Sequence, residues 1–195
     1  MRMEEIEIRG KLSPPDFARL TKLLSNQGRL VSHYHRLSVD ISPGFDPQTR
    51  TWNNVAQTDL RVKKSDRQEK LSVKIGDFHT KRRQEIEVAL PEGQVTNALK
   101  LLAALGFDKG MVYFYQSWEY DYEGFSVKLT QYTPDYFSWE IESNDAALDP
   151  NILADELNLH PFTREEYRQE IDWQNQHLHQ LYSLEEVEKI LKANF

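Results

Sequence analysis

Three Glu-Ile-Glu tripeptides are the residues of this sequence best suited to chemistry. They lie at 5–7, 85–87 and 140–142, each inside a segment in which polar and apolar residues alternate. A period of two is typical of a β-strand, so the two glutamates of each tripeptide share one strand face. The sequence therefore predicts carboxylates in three same-face pairs. Their members are Glu5, Glu7, Glu85, Glu87, Glu140 and Glu142.

Basic residues occupy alternating positions on the same kind of segment, with aliphatic residues on the opposite face. They are Arg9, Arg61, Lys63, Lys74 and Arg83. Carboxylates gathered in a partly desolvated space are unfavourable unless cations compensate them. Carboxylate oxygens suit hard cations such as Mg2+ or Mn2+, whereas Arg and Lys suit phosphate oxygens. The pattern therefore indicates a site for a divalent metal and a chain of phosphates.

The solvated face of an ordinary antiparallel sheet would give the same alternation of polar and apolar residues. For any one strand this is the simpler interpretation. A solvated face does not require the same acidic pair on three strands, so the repetition favours a binding site.

Histidines and aromatic residues give weaker signals. His33 and His35 share a strand face but have no third ligand nearby in the sequence, so a metal site there has little support. His177 and His179 are two residues apart in a helical segment, and we therefore expect both on the surface. The seven aromatic residues between positions 113 and 125 could stack on an organic group, although packing against the sheet is the favoured interpretation.

Eight strand-like segments must position the charged residues. They cover about 3–9, 29–41, 57–64, 68–76, 81–90, 111–121, 125–132 and 136–143. If the strands close on themselves, the charged faces line a tunnel. The aliphatic faces then lie outward under helices or neighbouring strands; their isoleucines are Ile6, Ile8, Ile86 and Ile141.

Helix signals separate and follow these strands. Ser13 and Pro14 begin a helix that Gly28 ends, and a second helix spans about 92–105, with Val95, Leu99, Leu102 and Leu105 at helical spacing. The chain after about 146 is helical, and capping-box spacing at Thr163 and Ser183 begins two of its helices. The segment 42–54 has no clear periodicity, so we predict a mobile loop. The predicted fold is α+β: an antiparallel sheet with flanking helices and a helical C-terminal extension, forming a single domain over 1–195.

The acidic composition limits the partners. With 24 Lys and Arg against 31 Asp and Glu, the net charge of -7 opposes a non-specific grip on nucleic acid or an anionic membrane. The absence of cysteine excludes a disulfide framework, a thiol nucleophile and a Cys-rich zinc site. The sequence has no signal-peptide core and no apolar run of bilayer length, so we expect a cytoplasmic protein. Whether it forms a homodimer is left open.

The order of these motifs resembles the CYTH, or triphosphate tunnel, superfamily. Residues 5–9, Glu-Ile-Glu-Ile-Arg, are similar to its opening Glu-x-Glu-x-Lys, with Arg in the last place. The later segments that resemble its motifs are 60–63, 72–74, 83–87, 105–107 and 139–142. The resemblance covers about residues 3–143 and implies that the sheet is a closed eight-stranded antiparallel β-tunnel. It also implies metal-dependent chemistry on triphosphates, because the superfamily includes inorganic triphosphatases, thiamine triphosphatases and class IV adenylyl cyclases.

The resemblance also implies roles for individual residues in a triphosphate hydrolase that uses Mg2+ or Mn2+. Those expected to hold the metal are Glu5, Glu7, Glu140 and Glu142. Those expected to hold a triphosphate-containing small molecule are Arg9, Arg36, Arg61, Lys63, Lys74, Arg83 and Lys128. Glu85 and Glu87 would position a second metal or the water that attacks the terminal phosphorus in line.

Some positions depart from the superfamily pattern. Gln116 and Trp118 stand where a Lys-x-Arg pair is usual, and Thr130 stands where an aspartate is usual, although Lys128 restores a charge nearby. The resemblance does not select among the activities of the superfamily, and the departures favour a protein without catalysis, so two alternatives stay open. One is a class IV adenylyl cyclase that makes cyclic AMP from ATP, and the other is a non-catalytic protein that binds nucleotides or polyphosphate.

Overall fold

The computed structural model describes residues 6–52, 58–66, 68–76, 84–143, 145 and 147–195, without the side chains of Ile6 and Thr58. The strands are β1 Ile6–Leu12, β2 Arg29–Ile41, β3 Phe45–Asp46, β4 Thr51–Trp52, β5 Thr58–Ser65, β6 Gln68–Ile75, β7 Gln84–Leu90, β8 Gly110–Tyr122, β9 Phe125–Thr133, β10 Tyr136–Ser143 and β11 Gln180–Leu181. The helices are α1 Pro14–Gln27, α2 Val95–Ala104, α3 Pro150–Glu156, α4 Arg164–His177 and α5 Leu184–Asn194. The predicted α+β class is confirmed.

One large antiparallel sheet carries most of the strands. Its hydrogen-bonded order is β1-β10-β9-β8-β2-β5-β6-β7, and β11 also pairs with β8. In the described part of the chain, β1 and β7 are the ends of this order. Closure of the sheet into a tunnel therefore stays a prediction.

The chain divides into two compact units. The first unit comprises residues 1–34 and 115–168, and the second comprises 35–114 and 169–195. The strands β2 and β8 each contribute one part to each unit. Each unit has its own hydrophobic cluster.

The core of the first unit lies under α1 and α3. Ser13 caps α1 by accepting from the Asp16 backbone N–H at 3.3 Å, and Leu20 and Leu24 of the same helix are fully buried. Ile8 of β1 and Ile141 of β10 pack into this core, as their strand parity predicts. The opposite face of the same strands carries the charged residues.

The core of the second unit joins α2 and α5 to β2, β5 and β6. Val62 and Leu99 are fully buried within it. Glu69 of β6 fixes the start of α2, because its carboxylate accepts from the backbone N–H groups of Gly93, Gln94 and Val95 at 2.9, 2.7 and 3.0 Å. Burial of Glu69 opposes ionisation, but the Lys64 ammonium and these N–H groups hold the pKa of Glu69 below its ordinary value.

Several local predictions were wrong. The segment predicted as a mobile loop contains the β3–β4 hairpin, in which the ring of Phe45 lies 4.6 Å from that of Trp52. Ile86 is 47% exposed, although burial under a helix or a neighbouring strand was predicted. Leu105 is also exposed, because α2 ends at Ala104 and Leu105 lies at its C-cap. The side chain of Ile6 lies outside the described residues.

His179 was predicted on the surface but is buried. The helix α4 ends at His177, and the chain then turns so that the His179 backbone N–H donates to the Gln174 carbonyl at 2.9 Å. The His179 ring stacks 4.1 Å from the Tyr113 ring, and its Nδ1 lies 2.9 Å from the Asn175 side-chain oxygen. Burial lowers the pKa of His179 to about 3.

None of the helices in the described ranges combines the length and the apolar character needed to cross a membrane.

Candidate functional site

A group of three carboxylates lies on the polar face of β1 and β10 in the first unit. Antiparallel pairing sets Glu7 opposite Glu142 and Arg9 opposite Glu140. Oxygen atoms of Glu7, Glu140 and Glu142, one from each, lie within 4.8 Å of one another. All three residues are half-buried. This set of oxygen donors fits Mg2+ or Mn2+.

Two cations flank the carboxylates. The Arg9 guanidinium pairs with Glu7 and lies 3.7 Å from Glu140, while the Lys128 ammonium pairs with Glu140 from β9. Burial opposes the charged form of Lys128, but the adjacent Glu140 carboxylate raises the pKa of Lys128 above its ordinary value. Lys128 therefore stays protonated across the physiological range. The arrangement places fixed positive charge beside the proposed metal ligands.

Hydroxyl groups line the rest of this polar face. Glu119 of β8 accepts from Ser32 and Tyr34, both at 2.8 Å. The Tyr115 and Tyr132 rings are 5.4 Å apart, and burial is the main cause that raises the pKa of Tyr132. Tyr132 therefore offers a neutral hydroxyl group at physiological pH.

A second charged cluster lies on the polar face of β5, β6 and β7 in the second unit. Its lysines lie on β5 and β6, where Lys63 stands opposite Lys70, and its glutamates lie on β7, where Glu85 stands opposite Lys74. The closest ion pairs are Lys70 with Glu87 at 2.6 Å, Lys74 with Glu85 at 3.4 Å and Lys63 with Glu85 at 3.6 Å. Desolvation would raise the pKa of Glu87, but Lys70 and Lys63 hold that pKa below its ordinary value. The cluster is a mixed ionic surface rather than a purely basic one.

Lys63 differs from the other lysines of this cluster because burial disfavours its protonated form. Its side chain is 11% exposed. Burial, together with the positive charge of Arg61, lowers the pKa of Lys63 to about 8, while Glu85 acts in the opposite direction. A bound anion would favour the protonated form, so Lys63 could change its charge state on binding phosphate.

Arg61 is enclosed by two aspartates that the sequence analysis did not select. Its Nε and Nη2 donate to the Asp59 carboxylate at 2.8 and 2.6 Å, and Asp40 lies 3.5 Å from Nε. Asp40 also accepts from Ser38 at 2.8 Å and from Tyr113 at 3.0 Å. Burial raises the pKa of Asp40, and Arg61 counteracts this effect. The alternation of Asp59 with Arg61 on one strand face was the signal that could have revealed the pair.

The remaining predicted site residues fall in different places. Arg36 is half-buried on β2 and shares a strand parity with Asp40 in the second unit. Glu85 and Glu87 belong to the ionic surface just described. Within the described ranges, the three carboxylates close enough together to hold a metal are instead Glu7, Glu140 and Glu142. Glu5 and Arg83 lie outside the described residues. The metal and phosphate roles of all these residues stay predictions. The tunnel that was predicted to bring their charged faces together also stays a prediction.

The departures at Gln116 and Trp118 do not lie on the charged face. Trp118 packs against Phe17 of α1, with ring centroids 5.5 Å apart, and belongs to the margin of the first unit's core. Gln116 has the same parity, and its Nε2 lies 2.6 Å from the His33 ring nitrogen. The charged face of β8 instead presents residues of the opposite parity, such as Glu119. Thr130 is buried and hydrogen-bonded to Ser117 at 2.8 Å.

Comparison with solved structures identifies proteins of similar fold. A protein from Pyrococcus horikoshii OT3 has a TM-score of 0.59 at 20% identity, covering 84% of this chain and 95% of that one. The adenylyl cyclase-like protein HpAC1 from Hippeastrum, described as having a dominant triphosphatase activity, has a TM-score of 0.55 at 13% identity, with coverages of 86% and 96%. An adenylate cyclase-like protein from Bacillus halodurans has a TM-score of 0.57 at 15% identity, with coverages of 83% and 95%.

These similarities concern the fold. They are consistent with the CYTH superfamily, which the motifs of the sequence resemble. No protein-family model matches the chain, and no curated protein matches it.

Proposed function

We propose that this chain is a metal-dependent hydrolase that acts on a triphosphate-containing small molecule. The observation that carries this function is the convergence of Glu7, Glu140 and Glu142, with oxygen atoms within 4.8 Å of one another. Arg9 and Lys128 offset part of the negative charge of these three carboxylates, and the charge that remains favours a further cation among them. The similar fold of a protein described as a triphosphatase adds support.

The chain's residues have distinct roles in this function. Glu7, Glu140 and Glu142 hold the divalent cation, and Lys128 keeps a permanent positive charge beside them. When bound, Mg2+ or Mn2+ supplies charge neutralisation and polarisation of the phosphoryl oxygens. In the second unit, Lys63 and its neighbouring lysines donate to phosphate oxygens after exchanging their glutamate partners.

Hydrolysis itself requires a water that attacks the terminal phosphorus in line. The water gives up a proton to solvent, the new O–P bond forms, and the bond from phosphorus to the bridging oxygen breaks, with the electron pair leaving on the diphosphate. Glu85 and Glu87 are the residues we assign to orienting this water or holding a second cation. Their lysine partners keep both carboxylates close to a set of phosphate-binding groups.

Two rival functions are a cyclase, which forms different products, and a non-catalytic binder, which forms none. Fold similarity to adenylyl cyclase-like proteins favours a cyclase, in which the ribose 3'-hydroxyl of ATP is the nucleophile and pyrophosphate leaves. The neutral Ser117–Thr130 pair, at a position where the superfamily usually has an aspartate, favours a non-catalytic binder.

One product assay separates the three functions. The purified protein is incubated with tripolyphosphate, thiamine triphosphate or ATP in the presence of Mg2+ or Mn2+, and phosphate, pyrophosphate and cyclic AMP are quantified. Hydrolysis releases phosphate, cyclisation releases pyrophosphate with cyclic AMP, and binding without turnover leaves the substrate intact. The last two results would each refute the hydrolase.

Matched variants test the metal site. Glu7→Gln combined with Glu142→Gln should lower turnover about 100-fold or more, because the amides replace two anionic ligands. Glu165→Gln, on the exposed side of α4, is the control and should retain wild-type turnover. If the folded double variant is as active as the control, these carboxylates do not hold the catalytic metal.

A further inference from the structure

The segment that leads into α4 is anchored on β1 beside the carboxylate trio, within the first unit. The Phe162 backbone N–H donates to the Arg9 carbonyl at 2.8 Å. Gly10 permits this close approach, since a Cβ there would overlap the His160 carbonyl and the Trp139 ring. A capping box at Thr163 then begins α4, with reciprocal bonds of 2.8 and 3.2 Å to Glu166. The result is a rigid helix start next to the proposed metal ligands.

This helix start places Tyr167 on Arg9. The Arg9 Nη1 donates to the Tyr167 hydroxyl at 2.6 Å, and the guanidinium carbon lies 4.8 Å from the ring centroid. The same Nη1 lies 3.7 Å from Glu140, while Nη2 contacts Glu7. A single guanidinium therefore connects two of the three clustered carboxylates to the C-terminal extension.

Arg9 is oriented toward the carboxylates rather than away from them. Arginine keeps its charge at any ordinary pH, so protonation cannot remove this counter-ion. A divalent cation needs the carboxylate oxygens within about 2.0 to 2.6 Å. A carboxylate oxygen that binds a cation is a weaker partner for the guanidinium, and the two positive charges repel each other. Binding of a cation to Glu7 and Glu140 therefore loosens Arg9 from them.

We propose, on the basis of the function proposed above, that Tyr167 is a positioning residue that holds Arg9 on the carboxylates as a tethered counter-cation. Divalent metal and Arg9 then compete for Glu7 and Glu140. The displaced guanidinium becomes available to phosphate oxygens, which it can bind with two parallel hydrogen bonds. Metal and triphosphate therefore bind with positive coupling, and each raises the affinity for the other by the same factor.

A purely structural role for the pair makes different predictions. If Tyr167 and Arg9 only attach the extension to β1, removing either group should lower the thermal stability and leave the metal affinity unchanged. If they compete with the metal, removing either group should raise the metal affinity in the absence of substrate. The direction of the change in affinity therefore distinguishes the two roles.

The experiment measures Mn2+ binding by titration calorimetry, with and without tripolyphosphate. Arg9→Gln should bind Mn2+ alone about three to ten times more tightly than the wild type, because a competing charge and its contacts are lost. Tyr167→Phe keeps the ring but loses the hydroxyl and should bind Mn2+ about two to three times more tightly. In both variants the enhancement of Mn2+ affinity by tripolyphosphate should be smaller than in the wild type, because only the part of the coupling that depends on Arg9 is lost.

Controls distinguish the possible failures. Tyr122→Phe removes a hydroxyl from the same unit that contacts Gln27 at 3.4 Å, and it should leave Mn2+ binding unchanged. Thermal unfolding of every variant confirms that it is folded, and Arg9→Lys provides a second, charge-conserving test that should retain part of the competition. Wild-type or weaker Mn2+ affinity in folded Arg9→Gln and Tyr167→Phe would overturn this inference alone.

The proposed function can fail independently of this inference. If Mn2+ binds, depends on Glu142 and competes with Arg9, but no phosphate is released, hydrolysis is refuted and the tethered counter-cation stands. If the wild type shows no Mn2+ binding that Glu142→Gln abolishes, both are refuted.

Discussion

We expect Lys63 to make the affinity for triphosphate depend on pH, and one substitution should remove this dependence. Its ammonium is largely buried, and burial together with the charge of Arg61 lowers the pKa of Lys63 to about 8. Near pH 8 the free protein is therefore a mixture of the charged and neutral forms. If Lys63 donates to phosphate, the charged form binds and the neutral form does not.

The magnitude follows from the fraction of protonated lysine. With a pKa of about 8, Lys63 is about nine-tenths charged at pH 7 and about one-tenth charged at pH 9. Triphosphate affinity should fall about tenfold over this interval, which corresponds to about 1.3 kcal/mol. At pH 8, binding should take up about half a proton.

Lys63→Arg is the informative perturbation. Arginine retains the positive charge but does not titrate in this range, so the loss of affinity specific to Lys63 and its proton uptake should both disappear. Tripolyphosphate binding is measured by calorimetry at pH 7, 8 and 9 with saturating Mg2+. Buffers that differ in ionisation enthalpy report the proton uptake. Lys22→Arg, on the exposed side of α1, is the control and should behave as the wild type does.

Protons released by the substrate or by metal-bound water affect the wild type and Lys63→Arg alike, so the difference between them isolates Lys63. An identical pH dependence in the two proteins would refute the role of Lys63 in binding phosphate. The stability of the free protein gives an independent check on the direction of the Lys63 pKa shift. Because the folded pKa of about 8 lies below the unfolded value, the unfolded state binds more protons between them. The Lys63 contribution to stability should therefore rise from about pH 8 to about pH 10.

The other predictions concern stability. Asp59→Asn should lower the free energy of unfolding by about 3 kcal/mol, because Arg61 keeps a weaker partner in a buried setting. The control Asp121→Asn breaks an exposed pair with the same 2.6 Å separation and should cost less than about 1 kcal/mol. Equal effects of the two substitutions in urea unfolding would contradict this prediction. Glu69→Gln should cost about 1 to 2 kcal/mol through the lost α2 cap. The pKa of Glu69 is lower in the folded protein than in the unfolded chain. The contribution of its carboxylate to the free energy of unfolding is therefore complete above the unfolded pKa and disappears as the pH falls through the folded pKa. Acid unfolding curves that coincide for Glu69→Gln and the wild type would contradict this. Gly110→Ala should destabilise by about 2 kcal/mol or more, because its Cβ would overlap the Asp40 carbonyl, and a wild-type melting temperature would be inconsistent with that contact.

Strand periodicity predicted which face of each strand carries charge, because side-chain alternation is a local property of the backbone. Ile8 and Val62 are buried, and their sequence neighbours Glu7 and Lys63 lie on the polar faces. Such patterns could not predict which residues face each other across neighbouring strands. That Glu7 stands opposite Glu142 depends on the register of β1 and β10, which is set by contacts distant in the sequence.

The errors have identifiable causes. Alternation in β7 predicted a buried Ile86, but burial requires a covering element, and α2 packs on β5 and β6. The helical spacing rule misplaced His179 because α4 stops at His177. The motif resemblance set Trp118 in the place of a basic residue, but it carries no information on facing; Trp118 packs against Phe17 of α1 at the margin of the core.

Burial divides the cations of the second unit into two kinds. Lys70 and Lys74 have partly exposed side chains paired with partly exposed glutamates, and pairs of this kind contribute little free energy. These lysines can therefore exchange a glutamate for a phosphate oxygen at small cost. Arg61 is held by Asp59 through two hydrogen bonds in a more buried setting, and separating them would leave a charge with little solvent. We therefore expect a bound phosphate to approach Arg61 without breaking its aspartate pair, and we expect the lysines, rather than this arginine, to change partners when it binds.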